Sequence, residues 1–218
     1  MEKIFAIGDI HGCLDELDAL LSTITINADR DLLLFIGDYI DRGPASKGVV
    51  DRVLELKARL NHVVCLMGNH EQMFLDYITG GTTGDMFLYN GGDATLRSYR
   101  DRLSLRSAVD IMPEAHRDFF ESLQLFFETD DYLFVHAGFR PGIPLEEQDR
   151  EDLFWIRYEF IRSDHDFGKT VVFGHTPFPD VYRDDYKIGI DTGAVYGGYL
   201  TCLELPAEVI HQVGGLDI

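Results

Sequence analysis

The sequence repeats one device: a short aliphatic run ends in glycine and then in an oxygen-bearing side chain. Ile4-Phe5-Ala6-Ile7 leads into Gly8-Asp9-Ile10-His11-Gly12. Leu32-Leu33-Leu34-Phe35-Ile36 leads into Gly37-Asp38-Tyr39-Ile40-Asp41-Arg42-Gly43, and Val63-Val64-Cys65-Leu66 leads into Gly68-Asn69-His70-Glu71. Runs this short and apolar read as buried strands. The interval of about thirty residues is that of a strand–helix–strand unit. Three parallel strands, each turning sharply at glycine, bring Asp9, Asp38 and Asn69 to the carboxyl edge of one sheet, where α/β proteins hold their ligands. Asp38 stands in the middle copy and is placed at the centre of the site.

Between these strands the pattern is helical. Leu14, Leu17, Leu20, Leu21 and Ile24 recur at helical spacing, with Asp15, Glu16 and Asp18 in the first turns. Val49, Val50, Val53, Leu54 and Leu56 do the same before Lys57 and Arg59, and Glu71 to Ile78 continues as helix. From about residue 79 to 130 the pattern changes to loops (Gly80-Gly81-Thr82-Thr83-Gly84, Asn90-Gly91-Gly92) and short Arg-rich helical segments. The clearest of these is Pro113 to Leu123, with proline at a helix start. Strand patterns return at Leu125 to Glu128 and Tyr132 to His136, and Leu153 to Ile161 reads as one helix. Thr170 to Phe173, Tyr186 to Ile190, Leu200 to Leu205 and Glu208 to Gln212 read as strands, closing the chain with an antiparallel run.

The second half brings histidines to matching places. Phe134-Val135 leads into His136-Ala137-Gly138, and Val171-Val172-Phe173 into Gly174-His175-Thr176. Five strand ends thus present carboxylates, an amide oxygen and imidazoles to one edge, without thiolate. Such donors suit Mn, Fe, Zn or Mg. They are too many for one ion and enough for two sharing a carboxylate; metals about 3.5–4 Å apart activate water for in-line attack at phosphorus.

This motif set resembles the phosphoprotein phosphatase family of serine/threonine phosphatases, calcineurin-like metallophosphoesterases, in its bacterial and phage-type branch. Asn69-His70-Glu71-Gln72-Met73, Asn90-Gly91-Gly92 and Ile190-Asp191-Thr192-Gly193-Ala194-Val195 add to the likeness, which runs from about Ile4 to Leu205. The resemblance implies an α+β fold: a four-layer αββα sandwich in a single domain over residues 1–218, with the helical insertion at about 79–130. It implies two divalent metal ions, Mn2+ first, with Fe or Zn as alternatives. Asp9, His11 and Asp38 would hold one ion. Asp38, Asn69, His136 and His175 would hold the other, Asp38 bridging. His70 would be the general acid and Asp41 its partner, fixing the tautomer and raising the imidazole pKa. Arg42 and Arg157 would bind phosphate oxygens, a guanidinium offering a planar fork to them. One position departs from the pattern: Met67 stands where the family carries arginine, removing an anion contact or a structural arginine.

Taken singly, other residues read more plainly. Asp191 closes a turn before Thr192-Gly193 and stays outside the site. Tyr196 lines the mouth of the site or packs in its loop. Cys13 is a small buried hydrophobe before it is a redox sensor. The formal charge of −19 argues against nucleic acid or an anionic membrane as partner. Three scattered cysteines make no disulfide framework, and with no apolar span or signal peptide the expected compartment is the cytoplasm.

The expected activity is therefore metal-dependent phosphomonoester hydrolysis on a phosphoprotein or phosphopeptide. A first alternative is a nucleotide hydrolase like the symmetrical diadenosine tetraphosphatases. Those relatives generally carry aspartate after Gly-Asn-His, so Glu71 points to the protein phosphatases. A second alternative, a non-catalytic phosphate- or protein-binding module, fits poorly with an intact ligand set and an intact His70–Asp41 pair. Oligomeric state is not legible in the sequence.

Overall fold

A computed structural model describes residues 2–81, 84–100 and 112–215. Thr82 and Thr83 of the first insertion loop, and the part of the Arg-rich stretch at 101–111, lie outside the described residues.

The first sheet has the order β10-β9-β1-β2-β3. It comprises β1 (Ile4–Ile7), β2 (Leu32–Phe35), β3 (Val63–Cys65), β9 (Tyr199–Leu205) and β10 (Val209–Gly214). β1, β2 and β3 are parallel, in the register Phe5↔Leu33 and Leu33↔Val63, and β9 joins β1 antiparallel. The parallel strands are joined by α1 (Leu14–Thr23) and α2 (Ser46–Arg59), as parallel neighbours require. The second sheet has the order β4-β5-β6-β8-β7, from β4 (Phe126–Glu128), β5 (Tyr132–Val135), β6 (Thr170–Phe173), β7 (Tyr182–Arg183) and β8 (Lys187–Gly189). Here β5, β6 and β8 are parallel and the two edge strands antiparallel.

β1 and β2 are apolar throughout because both of their faces are covered. Ile4, Ala6, Leu32 and Leu34 meet Phe134, Val172 and Ile188 between the sheets. The alternate residues Phe5, Ile7, Leu33 and Phe35 face α1, α2 and α3 (Asn69–Thr79). Leu133, Val135, Val171 and Phe173 face α7 (Arg150–Trp155) and α8 (Tyr158–Ile161). Two mixed sheets packed face to face with helices outside make the expected α+β sandwich. Between α3 and β4 lie α4 (Gly84–Phe87), a wide π-type turn Leu88–Gly92, α5 (Asp93–Tyr99) and α6 (Glu114–Glu121), all against the first helical layer.

Two expectations are corrected. The helix read over Leu153 to Ile161 is two helices, because Ile156 leaves α7 extended (ψ 141°) and Arg157 has φ −131° and ψ −96°. Tyr186 to Ile190 does not belong to a closing antiparallel run; its strand β8 pairs parallel with β6 in the second sheet. Apolar periodicity records which face is covered, not which sheet covers it.

Candidate metal centre and its surroundings

The carboxyl ends of the parallel strands of both sheets open on one edge, and the expected residues gather there. Asp9 and His11 follow β1, Asp38 follows β2, Asn69 and His70 open α3 after β3, His136 follows β5 and His175 follows β6. All seven side chains are buried. The backbone is bent to bring them in. Six non-glycine residues among those described have positive φ, and five are here: His11 (47°), Asp38 (52°), Asp41 (73°), Arg42 (66°) and His175 (64°). Such angles disfavour side chains with a Cβ and persist where the surroundings enforce them.

At Asp38 the enforcing group is Glu71. Its fully buried carboxylate accepts the backbone N–H groups of Asp38 (2.9 Å), Tyr39 (2.9 Å), Ile40 (3.3 Å) and Gly68 (3.0 Å). Gly68 has an ordinary φ of −91°, so it serves close approach and not a left-handed turn. A Cβ there would sit 2.1 Å from Asp38 Oδ1.

The donor chemistry fits a cation. His11 Nδ1 lies 2.8 Å from the Ile40 carbonyl, His136 Nδ1 3.1 Å from that of Ile36, and His70 Nδ1 2.6 Å from Asp41 Oδ2. Each ring donates its Nδ1–H to that acceptor, which leaves Nε2 as a lone pair, met at His11 by the Arg42 guanidinium. Those of His11 and His136 face the Asp38 carboxylate at 3.3 and 3.4 Å. Lone pair against carboxylate at that distance is repulsive unless a cation lies between. His70 Nε2 and His175 Nε2 are buried without a hydrogen-bond partner. Two groups close to within 4.8 Å, His11–Asp38–His70 and Asp38–His136–His175, and Asp38 belongs to both. Asn69 Oδ1 joins the second, 3.0 Å from His136 Nε2 and 3.0 Å from His175 Nδ1. Asp9 stands beside the first, its carboxylate accepting the His175 N–H at 3.1 Å.

Burial sets the charges. It pushes His70 down to about 3 and His136 down to about 4, and drives His175 well below the usual imidazole range. For His70 this reverses the expected upward shift, because loss of water outweighs the Asp38 charge, with His11 and Arg42 adding to the fall. Asp41 moves the other way, pushed up to about 7 by burial against the hydrogen bond from Thr95. The pair thus keeps one titratable proton between its members up to about neutral pH. Asp9 is raised by burial and then by the charges of Asp191 and Asp38.

Arg42 lies against His11 of the first group and Arg157 beside His175 of the second. Arg42 Nη1 donates to His11 Nε2, and its guanidinium lies 5.5 Å from the ring centre of Tyr196, which is 64% exposed. Tyr196 therefore lines the mouth of the site. Arg157 lies in the break between α7 and α8 and donates to Thr176 Oγ1 at 3.3 Å, next to His175. Met67 is buried in the apolar core, where its backbone N–H pairs with the Gln124 carbonyl.

Three residues outside the expected set matter here. Asp191 is buried beside Asp9 while its Oδ1 accepts the Gly193 N–H at 3.0 Å, so it does close a turn and also adds a third carboxylate. Thr95 and Ser46 both bond Asp41, at 2.9 and 3.1 Å from its backbone N. Asp191 sits in a legible motif; the two hydroxyls carried no signal in the sequence.

Residues 2–208 match the calcineurin-like phosphoesterase family, and the chain belongs to it. Among curated proteins it is similar to the asymmetrical bis(5'-nucleosyl)-tetraphosphatase PrpE of Bacillus thuringiensis (strain Al Hakam), 28% identical over 94% of this chain and 91% of that one. The same enzyme of Bacillus cereus (strain AH187) is 28% identical over 97% and 94%. Among solved structures, a putative diadenosine tetraphosphatase superimposes with a TM-score of 0.75 at 22% identity, covering 99% of this chain and 95% of that one. A Saccharomyces cerevisiae serine/threonine phosphatase with similarity to human PP5 gives 0.66 at 17% identity, covering 99% and 81%. The family gives metal-dependent phosphoester hydrolysis as the class of chemistry; the solved structures share the fold, and the curated relatives carry nucleotide names.

Proposed function

We propose that this chain hydrolyses a dinucleoside polyphosphate of the bis(5'-nucleosyl) tetraphosphate type. The observation that carries it is the pair of lone-pair-lined groups sharing Asp38, with the His70–Asp41 pair alongside. The nucleotide half of the reading is supported by likeness to PrpE relatives along nearly the full length of both chains. It departs from the expected phosphoprotein activity and, in cleavage mode, from the symmetrical alternative. Glu71 is no obstacle: its carboxylate is enclosed by backbone N–H groups, so residue 71 selects loop geometry and not substrate.

In this reading Asp9, His11 and Asp38 would hold one divalent ion, and Asp38, Asn69, His136 and His175 would hold a second. Bound ions supply electrostatic activation of the phosphoryl group and of water for in-line attack. Arg42 and Arg157 grip non-reacting phosphate oxygens through charge-assisted hydrogen bonds. His70, its Nδ1–H fixed on Asp41, aims Nε2 into the site; with the pair's proton on Nε2 the ring is an imidazolium stabilised by the Asp41 carboxylate, and it passes that proton to the departing oxygen and returns to the neutral Nδ1–H form. The Tyr196 ring at the mouth offers a face on which a base can stack.

A second reading, a phosphoprotein phosphatase, is favoured by one observation, the Asn69-His70-Glu71-Gln72-Met73 likeness to that branch. A substrate panel with Mn2+ separates the two: diadenosine tetraphosphate beside phosphoserine, phosphothreonine and phosphotyrosine peptides, with products resolved by chromatography. AMP plus ATP with the highest kcat/KM supports the proposal. ADP alone returns the symmetrical mode, and preference for phosphopeptide overturns the nucleotide reading.

A further inference from the structure

The helical insertion reaches the catalytic pair. Thr95 on α5 is fully buried, and its hydroxyl donates to Asp41 Oδ1 at 2.6 Å. The other oxygen of the same carboxylate, Oδ2, faces His70 Nδ1 at 2.6 Å. The Asp41 backbone N–H returns to Thr95 Oγ1 at 2.9 Å, and Ser46 Oγ lies 3.0 Å from that hydroxyl. Each oxygen of Asp41 therefore has one donor, His70 from α3 and Thr95 from α5, and the carboxyl plane is fixed from both ends.

α5 is itself held in register. Lys47 at the start of α2 donates its N–H to Ser98 Oγ at 3.1 Å. Tyr99 donates to His116 Nδ1 at 2.7 Å, and His116 Nε2–H to Asp51 Oδ1 at 3.0 Å. At the other end, the Gly91 carbonyl accepts the Arg42 N–H at 3.2 Å, and Gly91 has φ 98°. A Cβ on Gly91 would come within 3.0 Å of Arg42. The segment 91–95 thus grips two consecutive left-handed residues, Asp41 and Arg42, one behind the acid and one before the phosphate.

We propose that Thr95 is a positioning residue of the reaction, acting through Asp41 on the orientation of His70. With its hydroxyl gone, Asp41 Oδ1 is a buried acceptor without a donor. The carboxylate is then free to turn, and the imidazole loses the fixed acceptor that points its Nε2 at the leaving oxygen. The proposal rests on His70 serving as the leaving-group acid, and the test separates the two.

The test compares phenyl and 4-nitrophenyl esters of AMP, or of phosphate if the phosphoprotein reading holds, which differ only in leaving group. Acid help matters for phenolate and little for nitrophenolate. Thr95→Val removes the hydroxyl at constant shape and is expected to lose roughly tenfold more kcat on the phenyl ester than on the nitrophenyl ester, with metal content unchanged. Thr95→Ser restores the hydroxyl and the rate. Thr95→Cys, of similar size and a far weaker donor, replaces the valine variant if that one fails to fold. His70→Asn run in parallel is expected to show the same preference more strongly. Equal losses of Thr95→Val on both esters, or no rescue by serine, overturn the proposal while leaving His70 its role. Equal losses for His70→Asn remove the acid, and the role of Thr95 with it.

Discussion

Glu71 Oε2 accepts the Asp38 N–H at 2.9 Å, so the carboxylate common to both candidate metal groups is held from behind by a second carboxylate that faces only backbone. Glu71→Gln keeps one acceptor oxygen and turns an NH2 group towards buried N–H donors. Stability is expected to fall by about 1–3 kcal/mol for each donor left bare, two in this geometry. The urea midpoint reports it; a midpoint equal to wild type would show that Glu71 does not hold the loop.

Arg157 emerges from a helix break beside His175 and Thr176, not from a solvated helix face. If it grips phosphate, Arg157→Ala raises KM and weakens inhibition by free phosphate about tenfold or more, the size of a charge-assisted contact of about 1.5–3 kcal/mol. Metal content stays as it was. Unchanged KM and phosphate inhibition would remove Arg157 from the site.

His116 gives a pH signature away from the metal centre. It is held neutral, taking the Tyr99 hydroxyl at one nitrogen and donating to Asp51 from the other, with Lys47 bonded to the same carboxylate. Burial lowers its pKa, more than Asp51 raises it. The unfolded chain therefore binds this proton first as pH falls below about 6.5, and stability falls with it until the folded pKa is reached. Wild type is expected to lose more stability than His116→Gln between pH 7.5 and 5.5. Parallel losses would contradict the assignment.

Much of this was legible because the informative residues are local. Apolar runs ending in Gly-Asp or Gly-Asn mark both the strand and the ligand beyond it, which is how Asp9, Asp38 and Asn69 are found from a few neighbouring letters. Thr95 is not found that way: it meets Asp41 across 54 positions, through a helix whose docking depends on Ser98 and Tyr99. The break at Arg157 was hidden because Leu153, Ile156, Phe160 and Ile161 keep one apolar face through it. The direction of the His70 shift was missed because the sequence names its partner, Asp41, but not the absence of water around both.

The account stands on Asp38 joining two cation sites. The direct measurement is the divalent metal content of active protein, loaded with Mn2+ and passed through a desalting column, for wild type and Asp38→Asn. Two ions per chain are expected in wild type, and fewer than two in Asp38→Asn together with a loss of activity larger than that of any other single ligand substitution. Full activity in protein carrying one ion or none, or two ions and full activity in Asp38→Asn, would contradict it.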